Sequence, residues 1–73
     1  MNREEKRKKI IHSFTYHSPK GDQQERYQAL REKGLELALL IFDTTPESLE
    51  QDQAQMLLNL AVMSANASVA RNE

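Results

Sequence analysis

No cysteine occurs among the 73 residues, so neither a disulfide nor a thiolate metal site can form. The two histidines, His12 and His17, stand five apart with no set of carboxylates around them and no H-E-x-x-H arrangement, so no metal and no cofactor are expected. With two glycines in all, neither G-x-x-x-x-G-K-[ST] nor G-x-G-x-x-G is present, which removes the glycine cradle as a phosphate site. No apolar run approaches the ~20 residues that span a bilayer, and the first nine residues are charged rather than apolar. The expectation is a cytoplasmic protein with no membrane partner. Ten basic against eleven acidic side chains leave a net charge of -1, without the basic excess of duplex binders, so no duplex nucleic acid is expected.

A chain this short holds one domain, and below ~80 residues a single core supplies only a few kcal/mol unless a disulfide, a metal or self-association adds to it. The first two supports are missing. Self-association remains.

The pattern along the chain is helical throughout. Residues 1–14 run from charged to apolar, ending in a patch of Ile10, Ile11 and Phe14 that can cap a neighbouring core. Residues 15–21 contain Ser18-Pro19 and Gly21 and form a loop. Asp22 stands three before Glu25, the capping-box spacing, and predicts a second helix over 22–44. On it Tyr27, Leu30, Gly34, Leu37 and Ile41 make one apolar stripe, and Leu35, Leu39 and Phe42 another. One partner helix cannot cover both, so a second surface is expected to meet another subunit. Gly34 costs roughly 1 kcal/mol against alanine inside a helix, which points to close approach of a backbone or ligand. Thr45 can cap and Pro46 fits a first helical position, which predicts a third helix over 46–72. There Leu49, Met56, Leu60, Met63, Ala67 and Ala70 follow the seam, while Ala54, Leu58, Ala61, Ala65 and Val69 trace a line of mostly small residues for a further helix. The predicted fold is therefore all-α, a single domain over 1–73. A short N-terminal helix precedes a long antiparallel helical hairpin, with arms of roughly 30 to 40 Å, assembled as an oligomer.

Catalysis requires an acid, base or nucleophile held against a partner, and no such pairing stands out. Glu32 and Glu36 share a helix face but interleave with Arg31 and Lys33, as a solvated surface does. What does stand out is an aromatic and cationic loop, Phe14 to Gly21, with Tyr16, His17 and Lys20, followed by Arg26, Tyr27 and Arg31. Rings beside guanidinium groups suit a purine phosphate, one stacking on the base and the other meeting phosphate oxygens. Tyr27 lies on the apolar stripe and reads as core. For Tyr16, before a proline loop, a ligand platform and an ordinary loop residue both stay open. The basic run Arg3, Lys6, Arg7, Lys8, Lys9, interrupted by Glu4 and Glu5, reads as a solvated face.

Tyr16-His17-Ser18-Pro19-Lys20, Glu25-Arg26-Tyr27, Ala29-Leu30-Arg31, Leu37-Ala38, Pro46-Glu47-Ser48 and the string from Ala61 to Glu73 resemble one family. It is the helical-hairpin family of bacteriophage anti-CBASS and anti-Thoeris proteins, the cyclic-nucleotide sponges. The likeness runs from Tyr16 to Glu73. It departs at Ser64, where the family usually carries an aromatic residue.

The resemblance implies a non-enzymatic homohexamer acting in the host cell cytoplasm during infection. Such a protein captures cyclic GMP-AMP between subunits and withholds it, uncleaved, from the host effector. Related members hold cyclic trinucleotides on threefold axes, or glycosidic isomers of cyclic ADP-ribose. By the same likeness Tyr16 stacks on a base and Arg31 flanks base or phosphate, with His17, Lys20, Arg26, Asn66, Ser68 and Arg71 as further ligand-binding positions. The competing reading is an oligomeric helical adaptor that binds protein or nucleic acid through the basic first helix. A phosphodiesterase ranks below both, since suitable metal ligands are lacking.

Overall fold

The computed structural model describes residues 2–15 and 18–73, and within them the chain forms three α-helices and no strand. They are α1 (Arg3–Ser13), α2 (Gln23–Thr44) and α3 (Leu49–Asn72). Tyr16 and His17 lie outside the described residues.

Helix α1 starts where the Asn2 side chain accepts the Glu5 N–H at 2.8 Å, with Glu4 and Glu5 in the first turn, where acidic side chains favour the helix dipole. It buries no residue. The patch of Ile10, Ile11 and Phe14, expected to cap a core, instead faces outward, with Phe14 90% exposed. Beyond it the chain turns at Gly21, whose φ of 55° lies in the left-handed region open to glycine.

The expected capping box at Asp22 does not form. Asp22 has φ -91° and ψ 10° rather than the extended backbone of an N-cap, makes no cap bond, and pairs with Arg26 Nη2 at 3.1 Å. A guanidinium one turn away offers a charge-assisted contact that competes well with a backbone N–H. Gln23 closes the turn: its Oε1 accepts the Lys20 N–H at 2.9 Å while its own N–H reaches the Lys20 carbonyl at 3.0 Å.

Helices α2 and α3 run antiparallel. Arg26 and Gln23 meet Glu73 at one end, Gly34 meets Val62 midway, Ala38 meets Gln55, and Thr45 meets Gln51 at the turn. The seam on α2 is Tyr27, Leu30, Gly34, Ala38 and Ile41; Leu37, expected there, is exposed. On α3 the two stripes are exchanged up to Met63, with Val62 in place of the expected Ala61, which is exposed; Ala67 and Ala70 stay half-buried as expected. Ala54, Leu58, Val62, Ala65 and Val69 face α2, whereas Leu49 at 73% and Met63 at 64% exposure, with Met56 and Leu60, face away. The cause is Gly34, where α2 has no Cβ. The helices approach so closely there that a Cβ on residue 34 would overlap the Val62 side chain, which sets Val62 and its stripe against α2. No apolar side chain among the described residues is fully buried, so this pair of helices leaves broad apolar faces uncovered.

The third helix begins at Leu49 with Ser48 as its cap, three residues after the expected Pro46; Ser48 Oγ accepts the Gln51 N–H at 3.1 Å. Thr45 ends α2 instead, its N–H reaching the Ile41 carbonyl. Gln51, only 8% exposed, ties the two ends together, donating from Nε2 to the Thr45 carbonyl at 3.1 Å and Thr45 Oγ1 at 3.0 Å. Replacing it with alanine removes those bonds but leaves exposed Thr45 open to water, and Gln51→Ala is expected to cost about 0.5–1.5 kcal/mol in urea unfolding at fixed protein concentration, similar to the about 1 kcal/mol for Ser48→Ala.

Candidate functional site

The charges separate along the hairpin. Between Gly34 and Ala70 the chain carries Glu36, Asp43, Glu47, Glu50 and Asp52 and no lysine or arginine, so the turn end is acidic. Toward the other end, where α2 starts and α3 finishes, Lys20, Arg26, Arg31, Lys33 and Arg71 stand among Asp22, Glu25, Glu32 and Glu73, five cations against four carboxylates, two of them held by Arg26. An anion is repelled from the turn and drawn to that end.

There a recess of about 450 Å³ opens between the arms. Tyr27 and Arg31 are four apart on α2 and share a face; Asn66, Ala67, Ala70 and Arg71 present one face of α3, and Pro19 closes the rim. Ala67 and Ala70 leave the space that larger side chains would fill. Tyr27 is half-buried, so its ring serves both the seam and the recess wall. Arg31 and Arg71 are exposed and have no ion-pair partner among the described residues. Asn66 Oδ1 is buried without a hydrogen-bond partner. An amide left unsatisfied at one end can turn to offer a guest either its N–H or its oxygen. The recess thus combines an aromatic edge, two uncompensated guanidinium groups and a carboxamide, the donor and stacking set that a nucleobase phosphate requires.

Of the residues singled out from sequence, the recess brings together Arg31, Asn66 and Arg71. Lys20 is exposed outside its lining, and Ser68 is exposed with its carbonyl accepting from Asn72 Nδ2 at 3.0 Å. Arg26 is engaged within the chain, donating from Nη1 to Glu73 Oε2 at 2.8 Å and from Nη2 to Glu73 Oε1, with Asp22 beside it. Its role here is to pin the end of α3 to the start of α2. Tyr27 is the lining residue that sequence reasoning assigned elsewhere; its spacing of four from Arg31 was the available signal.

The Arg26 guanidinium, by hydrogen bonding, holds the Glu73 carboxyl below its ordinary range, and Glu73 in turn raises Arg26. A carboxylate whose folded value is depressed contributes stability above its unfolded value near 4.5 and loses it as pH falls through the folded value. Glu73→Gln is therefore expected to flatten the acid limb of the melting temperature against pH below about 4.5, with both side chains' partial exposure keeping the effect small. An unchanged acid limb would show that the clamp is not linked to folding.

Among the described residues no three of His, Asp or Glu converge as a metal shell, and no helix is long and apolar enough to cross a membrane. No curated protein and no solved structure matches the chain. A model of the Acb2/Tad1 hairpin domain matches residues 6–70, which takes in α2, most of α1 and of α3, and every lining residue of the recess but Arg71. The chain belongs to the Acb2/Tad1 hairpin-domain family, the anti-CBASS and anti-Thoeris sponges, whose members are binding proteins.

Proposed function

We propose that this protein is a non-catalytic sponge for cyclic oligonucleotide second messengers, binding cyclic GMP-AMP and related cyclic di- and trinucleotides between subunits. In the host cytoplasm it would withhold them from CBASS or Thoeris effectors. The observation that carries this reading is the recess of Tyr27, Arg31, Asn66 and Arg71: cationic, aromatic, open on one side and built from one copy of the chain. An open half-site suits a guest that a second copy covers.

The uncovered apolar faces support assembly. Leu35, Leu39 and Phe42 on α2 and Leu49, Met56, Leu60 and Met63 on α3 are all exposed in the single chain, a far larger apolar surface than a monomer ordinarily leaves wet. We read them as subunit contacts in a closed homo-oligomer, a hexamer, with residues 1–73 as its single-domain protomer. A cyclic dinucleotide with near-twofold symmetry fits a twofold interface, where each half meets the same ring and cation, and a cyclic trinucleotide fits a threefold axis. In this reading Tyr16 stacks on a base, Arg31 flanks base or phosphate, and His17, Asn66 and Arg71 add contacts; Lys20, Arg26 and Ser68 lie at the periphery.

Titration calorimetry with cyclic GMP-AMP, followed by heating and chromatography of the released ligand, tests the proposal. One intact ligand per two chains is expected for twofold sites and one per three for threefold sites. No binding, ligand recovered as hydrolysis products, or a stable monomer by light scattering would each refute it.

A further inference from the structure

A second recess, of about 410 Å³, lies where the end of α1 meets the end of α3 and shares Arg71 with the first. Lys8, Lys9 and His12 line it from α1, and Arg71 and Asn72 from α3; no carboxylate does. Glu73 is taken by Arg26, and Glu4 and Glu5, one turn before Lys8 and Lys9 on α1, form no ion pair with them. Lys8, Lys9 and Arg71 have no ion-pair partner among the described residues.

Two helix C-termini converge here, and cations commonly gather at such ends, so the magnitudes decide whether the cluster needs anything more. Each C-terminus supplies roughly half a negative charge, about one in all, against three full positive charges on Lys8, Lys9 and Arg71. Glu4 and Glu5 are more than offset by Arg3, Lys6 and Arg7 on the same helix, so a surplus of at least about two positive charges is left. Apolar packing does not hold these cations together either, since α1 buries no residue.

We infer that Lys8, Lys9 and Arg71 form an anion site for a phosphate group, adjoining the Tyr27 recess at Arg71 and completed by α1. The charge surplus matches a phosphate dianion. Two sources share that chemistry: a free phosphate compound, or a second phosphate of a guest whose base lies across Arg71 in the neighbouring recess. The latter source rests on the proposed function; the former does not.

Amide and side-chain NMR of the full chain, titrated first with pyrophosphate and then separately with cyclic GMP-AMP in ~0.15 M salt, distinguishes them, because exposed charges farther apart than about 8 Å are screened under these conditions. Saturable shifts at Lys8 to Ser13, Arg71 and Asn72 with pyrophosphate are expected. The double variant K8E/K9E should weaken this binding at least about tenfold, and K8R/K9R should retain it. Since α1 contributes nothing to the buried seam, neither change is expected to alter the helical circular dichroism. Shifts at these positions with cyclic GMP-AMP alone would assign the site to the second phosphate of that guest. Absence of saturable shifts with both ligands, or equal binding by K8E/K9E, would overturn the inference. Failure of cyclic GMP-AMP alone would count against the sponge reading and leave the phosphate site standing.

Discussion

Arg31→Ala is expected to weaken capture of cyclic GMP-AMP by roughly 10- to 150-fold in titration calorimetry, the equivalent of losing one charge-assisted hydrogen bond worth about 1.5–3 kcal/mol. The side chain is exposed, has no ion-pair partner among the described residues, and borders both the recess and the apolar groove along Gly34, Leu35 and Ala38. Its removal therefore leaves the hairpin intact, and the helical circular dichroism should be unchanged. At a twofold interface each guest meets two copies of Arg31, which places the loss toward the upper end of the range. Arg31→Lys keeps the charge but not the planar fork, and an intermediate loss is expected. Binding unchanged in Arg31→Ala would remove the recess as the ligand site.

Gly34→Ala tests the seam in the opposite way, through the fold and not the guest. In an ordinary helix interior the change stabilises by about 1 kcal/mol. Here a Cβ would stand 2.8 Å from Val62 Cγ2, closer than carbon atoms approach. Valine is β-branched and has essentially one rotamer in a helix, so the strain is relieved by spreading the two arms. Overpacking of this kind costs about 1–3 kcal/mol, enough to reverse the sign, and Gly34→Ala is expected to lower stability in urea. In a Val62→Ala background the obstacle is gone, and the same substitution should raise stability by about 1 kcal/mol relative to Val62→Ala alone. Equal gains in both backgrounds would show that the close approach has no energetic consequence. Protein concentration must be held fixed throughout, because in the proposed oligomer assembly adds to the measured stability.

Helical character and a close approach at Gly34 were legible because both are local, the 3.6-residue recurrence of apolar side chains and a glycine inside such a run; that the approaching group is the Val62 side chain, and not a backbone or ligand, was not. The exchange of stripes on α3 was not. Leu49, Met56, Leu60 and Met63 are more apolar than Ala54, Ala65 and Val69, and a reading by hydrophobicity turns the larger side chains inward. Which stripe packs is decided at Gly34 on the other helix, where Val62 takes the space a Cβ would fill. The turn misled in a similar way. Thr45-Pro46 and Ser48 both carry cap signatures, and the choice fell to Ser48, where Gln51 stands at the spacing of a second capping box and also reaches Thr45.

For the site, the residue types were visible in sequence but not their allegiance. Arg26, Arg31 and Arg71 are chemically identical, and only the antiparallel fold brings Glu73 onto Arg26, engaging one guanidinium and leaving two open toward the recess. Family and helix content follow from the order of residues, since they rest on local spacing and on the motif string itself. The partner of each stripe and the charge state of each end depend on contacts between residues some fifty positions apart, and distance in the chain carries no information about them until the helices have packed.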